Sequence, residues 1–119
     1  QMSVDEIEQT LLGFMGSEYF YRLYPNVIIT EGVKFLSDQC KSYWLIDCIY
    51  SYQFMPDVAK TPFQVIDLIV DRECQKGTII VTDGNDVELF RQEIEYTDFP
   101  LAKIRLYYTD STVLLPREY

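Results

Sequence analysis

Tyr43-Trp44-Leu45-Ile46-Asp47-Cys48-Ile49-Tyr50-Ser51-Tyr52-Gln53 is the stretch that the rest of the chain has to accommodate. Wound as an α-helix, Leu45, Cys48, Ile49 and Tyr52 recur at i, i+3, i+4 and i+7 and form one apolar stripe. Trp44, Ile46 and Tyr50 fill the flanks, which leaves Asp47 and Ser51 on the far side. A helix apolar nearly all round is a buried one. Asp47 is therefore the odd residue, a carboxylate inside an aromatic segment.

Working back toward the N-terminus, Thr30 is placed to cap a helix over Glu31–Cys40, with Val33, Leu36 and Cys40 on its apolar side. Lys41-Ser42 either breaks this helix from the next or kinks a continuous one, and the residues fit both. Tyr19–Leu23 and Val27–Ile29 are β-prone runs around Tyr24-Pro25-Asn26, a small hairpin. Ser3 and Glu6 have capping-box spacing, and Val4, Ile7, Leu11 and Phe14 follow at helical intervals, closed by Gly13 or Gly16.

Beyond the helices, Met55-Pro56-Asp57 ends the helical half and Thr61-Pro62 introduces strands. Phe63–Val70 is apolar on both parities apart from Asp67, which suits a central strand covered on both sides. Gly77–Thr82, the turn Asp83-Gly84-Asn85, and Val87–Tyr96 follow. The phase change in the last of these calls for a bulge near Phe90 or Arg91. Ile104, Leu106 and Tyr108 alternate with Lys103, Arg105 and Tyr107, and Asp110-Ser111 turns that strand into Val113–Leu115 before Pro116 stops it. The fold expected is one α+β domain over residues 1–119, with helices on one face of an antiparallel meander of four or five strands.

Composition narrows the chemistry. A chain of 119 residues is the length of one domain and buries about two-thirds of its unfolded surface. The net charge of -9 argues against direct binding of nucleic acid and favours solubility or a basic partner. There is no His, which removes imidazole acid–base catalysis, Ser-His and Cys-His nucleophiles, and the commonest zinc ligand sets. Cys40, Cys48 and Cys74 are odd in number and lack C-x-x-C spacing, so packed, reduced thiols are expected and no metal or cofactor site. No basic-then-apolar leader is visible, and the longest charge-free runs reach about half of the ~18 residues a membrane span needs. A soluble cytoplasmic protein is expected, with no membrane contact.

The segments Phe14-Met15-Gly16-Ser17-Glu18, Thr30-Glu31-Gly32-Val33-Lys34-Phe35 and Tyr43-Trp44-Leu45-Ile46-Asp47 carry a resemblance. So do Tyr96-Thr97-Asp98-Phe99-Pro100-Leu101 and Leu114-Leu115-Pro116-Arg117-Glu118-Tyr119. Together they resemble an uncharacterised family of short bacterial proteins, a domain of unknown function found also on mobile elements. The likeness runs from Leu11 onward, with Ile66 where the family has tryptophan and Arg117 where it has serine. It implies a shared fold and no established activity.

The binding residues expected are Glu18, Tyr21, Arg22, Asp47, Asp98, Glu118 and Tyr119; no residue is assigned to catalysis. Asp47, with Tyr43, Trp44, Tyr50 and Ser51 one turn away, reads as an acid–base group of raised pKa or as a structural carboxylate hydrogen-bonded to Tyr, Ser or a backbone N–H and open to pairing with Arg22 or Lys34. Glu18, Tyr21 and Arg22 read as a partner-binding cluster or as a salt bridge tying the hairpin to the helices. Thr97 and Asp98 suit a turn before Phe99-Pro100. Lys103 and Arg105 are expected to pair across strands with Glu93 and Glu95. Tyrosines at loops or outward strand positions, such as Tyr19, Tyr24, Tyr107 and Tyr119, read either as amphipathic contact area for a partner or as rings that complete a small core while their hydroxyls reach water.

These features favour a small acidic non-enzymatic binding or regulatory module that docks a protein partner or a second copy. Its sharper form is an acidic decoy for the basic groove of a nucleic-acid enzyme, which needs carboxylates gathered on one face. The alternative is a histidine-free enzyme with Asp47 and Glu18 or Asp98 converging in a cleft. A purely structural role requires an apolar interface above roughly 1,000 Å².

Overall fold

The computed structural model describes residues 2–119. Ser3 starts α1 (Val4–Leu11): its hydroxyl accepts the Glu6 N–H, and the Glu6 carboxylate accepts the Ser3 N–H. The helix stops before either glycine, and Phe14 lies beyond it with its ring 5.6 Å from that of Phe35. β1 (Phe20–Tyr24) and β2 (Val27–Thr30) form the hairpin, and Thr30 caps α2 (Glu31–Cys40) by accepting the Val33 N–H. Lys41 takes a left-handed conformation (φ 51), so α2 ends there and α3 (Tyr43–Tyr52) is a separate helix. The helical half runs one turn past Met55-Pro56, because Pro56 opens a short α4 (Pro56–Ala59).

The remaining strands are β3 (Phe63–Asp71), β4 (Lys76–Thr82), β5 (Glu88–Ile94), β6 (Lys103–Thr109) and β7 (Thr112–Leu114). All belong to one sheet in the order β1-β2-β7-β6-β3-β4-β5. This corrects the expected antiparallel meander of four or five strands. Only β3-β4-β5 is a meander; the chain then returns so that β6 pairs with the other edge of β3, a Greek-key order. Asp110 and Ser111, both at positive φ, turn β6 into β7, and β7 receives β2 as a parallel neighbour. The hairpin near the N-terminus is thus part of the main sheet, and the sheet is mixed. Alternating apolar residues tell which face of a strand is buried but not which strand lies beside it, so the β2–β7 pairing has no local signature.

The bulge sits at Leu89, one residue before the expected place, since Val81 faces Phe90 while Thr82 faces Glu88. One face of the sheet, carrying Ile29, Ile66, Leu68, Val70, Ile79, Val81, Leu106 and Val113, forms a single core with α-helical Ile7, Val33, Leu36, Leu45, Ile49 and Val58. Tyr52 anchors α3 to β5, its ring 5.1 Å from that of Phe90 and its hydroxyl donating to Gln92. Buried Gln64 on β3 exchanges amide hydrogen bonds with Gln53 at 2.9 and 3.0 Å, which fixes the end of α3.

The other face of β3 carries Phe63, Val65, Asp67 and Ile69. Ile69 is 43% exposed, so the strand is not covered evenly on both sides as its sequence suggested. Near Phe63 the face is met by Tyr119, whose ring lies 5.3 Å from Phe63 and 5.8 Å from Tyr107. Among the described residues no helix is long and apolar enough to cross a membrane.

Candidate interaction edge

β1 is the outermost strand on its side of the sheet, and Glu18 to Leu23 are six consecutive exposed residues. Tyr19 is 64% and Phe20 55% exposed, and Tyr21 and Leu23 are also exposed. The phase of the ladder decides which backbone groups are free. Ile28 donates its N–H to Ser111 beside β7, at 2.7 Å, so Ile28 is turned toward β7 and Ile29 toward β1. Tyr21, opposite Ile29, is therefore bonded to β2, and the N–H and C=O groups of Phe20 and Arg22 point outward, where no strand lies among the described residues. Edges are commonly blunted by several charges, by Pro or by bulges. This one carries a bulge at Leu23 and a single charge, Arg22, between Tyr19 and Tyr24.

The edge is held in place from α2. The Glu31 carboxylate accepts the N–H groups of Glu18 (2.8 Å) and Tyr19 (3.4 Å) and the Ser17 hydroxyl (3.2 Å), and these bonds hold its pKa below the ordinary carboxylate value. Lys34 lies 5.3 Å from the Tyr21 ring centre and pairs at 2.7 Å with Asp38, which also accepts the Tyr43 hydroxyl at 2.6 Å. Lys34 first, then Tyr43, lower the Asp38 pKa. The Glu31 clamp escaped the sequence reading, in which Glu31 only opens the helix that Thr30 caps. Its one sequence sign is Ser17, an unassigned hydroxyl just ahead of the edge.

Several expected groupings do not form. Asp47 is exposed, not a carboxylate enclosed by its own helix, because the far side of α3 faces the β1–β2 turn. It accepts the Tyr24 hydroxyl at 2.5 Å, and that bond is the main cause of a raised Tyr24 pKa. Tyr24 stacks on Tyr50 with centroids 3.8 Å apart. Arg22 is bonded to the Pro25 carbonyl and Lys34 to Asp38, so neither neutralises Asp47; the Tyr43 and Ser51 hydroxyls are bonded to Asp38 and the Cys48 carbonyl. Glu18 does not pair with Arg22, since it sits in a bend before the strand begins.

Lys103 and Arg105 do not pair with Glu93 or Glu95, because β3 and β4 lie between β5 and β6. Arg105 instead makes a two-pronged bond to Asp67, at 2.8 and 2.9 Å, and Glu93 accepts the Thr78 hydroxyl. Thr97 closes its turn by accepting the Phe99 N–H, and Asp98 borders shallow clefts with Arg72 and Gln75 on one side and Gln39 and Lys41 on the other. Neither Glu18 nor Asp47 borders those clefts. Glu118 is turned toward α2 and accepts hydrogen bonds there, while Tyr119 is exposed apart from its ring contacts.

Among the described residues no three His, Cys, Asp or Glu side chains group as metal ligands. Burial pushes the Cys40 thiol up to about 11, and the Asp71 carboxylate raises that of exposed Cys74. Both shifts work against thiolate nucleophiles. The groove of about 460 Å³ between α1 and β6 is lined by Leu11, Leu12, Ile104 and Leu115 together with Lys103 and Arg117.

Fold and edge together define a small α+β protein whose mixed seven-stranded sheet is open along an aromatic outer strand. The chain belongs to the Family of unknown function (DUF6876), whose model matches residues 5–119. No curated protein and no solved structure matches it.

Proposed function

We propose that this protein is a non-enzymatic binding module that docks a protein partner along the free edge of β1. The observation that carries this reading is the unbroken exposure of Glu18–Leu23 on an outer strand with unpaired backbone groups. Strand addition joins two proteins through main-chain hydrogen bonds, with alternate side chains giving selectivity. Tyr19, Phe20, Tyr21 and Leu23 supply apolar area on both faces of such a joint. A net charge of -9 argues against a nucleic-acid ligand, and three unpaired thiols suit a reducing cytoplasm.

Two rival readings draw less support. The acidic-decoy form requires carboxylates on one face, yet Asp38, Asp57, Asp67 and Glu88 are ion-paired on four different elements. The enzymatic form requires Asp47 and Glu18 or Asp98 in one cleft, and Asp98 borders clefts that the other two do not.

The test is a photo-crosslinking residue in place of Tyr19 in the host cell, with and without Arg22→Pro. Proline there removes an outward N–H and leaves the β1–β2 ladder, which does not use it. A covalent protein adduct lost on Arg22→Pro, with the thermal midpoint retained, is the expected result. No adduct, or adducts indifferent to that substitution, overturns the reading.

A further inference from the structure

We infer that the strand received at this edge is β1 of a second copy, paired antiparallel about a two-fold axis at Tyr21. The inference rests on the docking reading above and goes further by naming the partner.

The backbone selects this register. The outward groups belong to Phe20 and Arg22, which are placed symmetrically about Tyr21. A two-fold axis there sets each Phe20 opposite Arg22 of the second copy as a hydrogen-bonded pair, so all four outward N–H groups find carbonyls. Moving the axis to Phe20 sets Arg22 against Glu18, whose N–H is already held by Glu31. Moving it to Arg22 sets two guanidinium groups face to face, which is unfavourable.

Side chains agree with the same register. Phe20 and Arg22 share a face of the sheet, so each ring meets a guanidinium of the other copy, a favourable cation–aromatic contact. The one positive charge of the strand thus meets aromatic surface on an otherwise acidic molecule. Tyr21 meets its own copy across the close, non-hydrogen-bonded pair, near enough for ring contact.

Size and charge set the strength. The exposed parts of Tyr19, Phe20, Tyr21 and Leu23 come to roughly 400 Å² per copy, and twice that is below the ~1,200 Å² of a standard interface. Two chains of charge -9 also repel. The dimer is therefore weak and tightens as salt screens the repulsion.

The experiment is sedimentation equilibrium of the full chain from about 0.01 to about 1 M salt, over which the Debye length falls from ~30 to ~3 Å. It is joined to oxidative crosslinking of Tyr21→Cys and Glu18→Cys in a Cys74→Ser background. The Cα separation of a non-hydrogen-bonded pair, ~4.5 Å, suits a disulfide. Expected are a concentration-dependent dimer that strengthens several-fold with salt, a disulfide dimer from Tyr21→Cys and not from Glu18→Cys, and a monomeric Arg22→Pro. A monomer throughout, alongside a Tyr19 photo-adduct to another protein, overturns this inference and leaves the docking reading standing. A dimer that survives Arg22→Pro, or that crosslinks through Glu18→Cys and not Tyr21→Cys, also overturns it. Absence of any adduct and any dimer removes both.

Discussion

Thr30 and Glu118, 88 residues apart in the chain, share a hydrogen bond of 2.6 Å from the threonine hydroxyl to the carboxylate. The same carboxylate accepts the N–H of Gly32 at 3.2 Å and of Leu115 at 2.9 Å. One acidic side chain thus satisfies a free N–H in the first turn of α2 and the start of the turn Pro116–Glu118. A carboxylate at that end also meets the positive end of the helix dipole. The closing segment is locked to the helix that carries Glu31, and through Glu31 to the edge strand.

Removing that lock destabilises the fold. Glu118→Ala strands the Thr30 hydroxyl and two N–H groups, and is expected to cost about 1–3 kcal/mol in urea unfolding. Gly32→Ala tests the same contact from the other side, since a Cβ there would lie 2.6 Å from Leu115 Cδ1 and 2.9 Å from Glu118 Oε1. A helix ordinarily gains about 1 kcal/mol from Gly→Ala. Here the buried Leu115 must move, so the midpoint falls; a rise would show that the contact yields freely.

The Asp67–Arg105 pair makes a different prediction. Its aspartate side chain is 12% exposed and its arginine 48%, so the carboxylate is the desolvated partner. Arg105→Leu leaves that carboxylate unpaired and, with half of the guanidinium in solvent, is expected to destabilise by about 1–2 kcal/mol. The double replacement Asp67→Leu with Arg105→Leu should recover most of the loss, because apolar neighbours can replace a buried pair. A double-mutant cycle in urea at low salt measures the coupling, and additivity of the two single losses would count against it.

What the sequence discloses here divides by distance along the chain. Ser3 with Glu6, Thr30 with Val33, and Asp83 with Gly84 are local signals, and each element begins or turns where they say. The helical wheel also puts Asp47 correctly on the far side of α3; the error is to take that side as enclosed, when the hairpin turn brings Tyr24 against it. Asp67–Arg105 spans 38 residues and Thr30–Glu118 spans 88, and no periodicity connects such pairs. The candidate edge was half legible. Tyr19–Leu23 reads as a strand, but its outermost position depends on β7 pairing with β2, which only the closed sheet reveals.

Thiol chemistry follows from burial. At neutral pH an aromatic disulfide reagent should label Cys74 first, because Cys40 is buried and Cys48 half-buried. Cys74 itself should react more slowly than a free thiol, since the hydrogen bond to Asp71 and that residue's charge raise its pKa. Asp71→Asn removes the charge and should speed labelling several-fold. On the alkaline side, Cys40 is neutral in the fold and ionises in the unfolded chain near 9, so its contribution is full below 9 and is lost as pH rises toward about 11. Cys40→Ala should flatten that limb of a stability profile.

The acid limb is set in part by Glu31. The N–H of Glu18 is the largest cause of its lowered pKa and that of Tyr19 the next, so the folded chain binds this proton less readily than the unfolded chain, whose value is near 4.5. Its contribution is complete above 4.5 and is lost as pH falls through the lower folded value. Protonation weakens the clamp on Ser17, Glu18 and Tyr19, so the protection of these amides, taken relative to the intrinsic exchange rate at each pH, should fall on acidification ahead of global unfolding. Glu31→Gln keeps an acceptor and removes the charge; it should raise exchange at Glu18 and Tyr19 at neutral pH and abolish this part of the pH dependence. Hydrogen exchange read residue by residue decides it, and unchanged protection at Glu18 and Tyr19 in the glutamine variant would show that the edge is held by something other than this carboxylate.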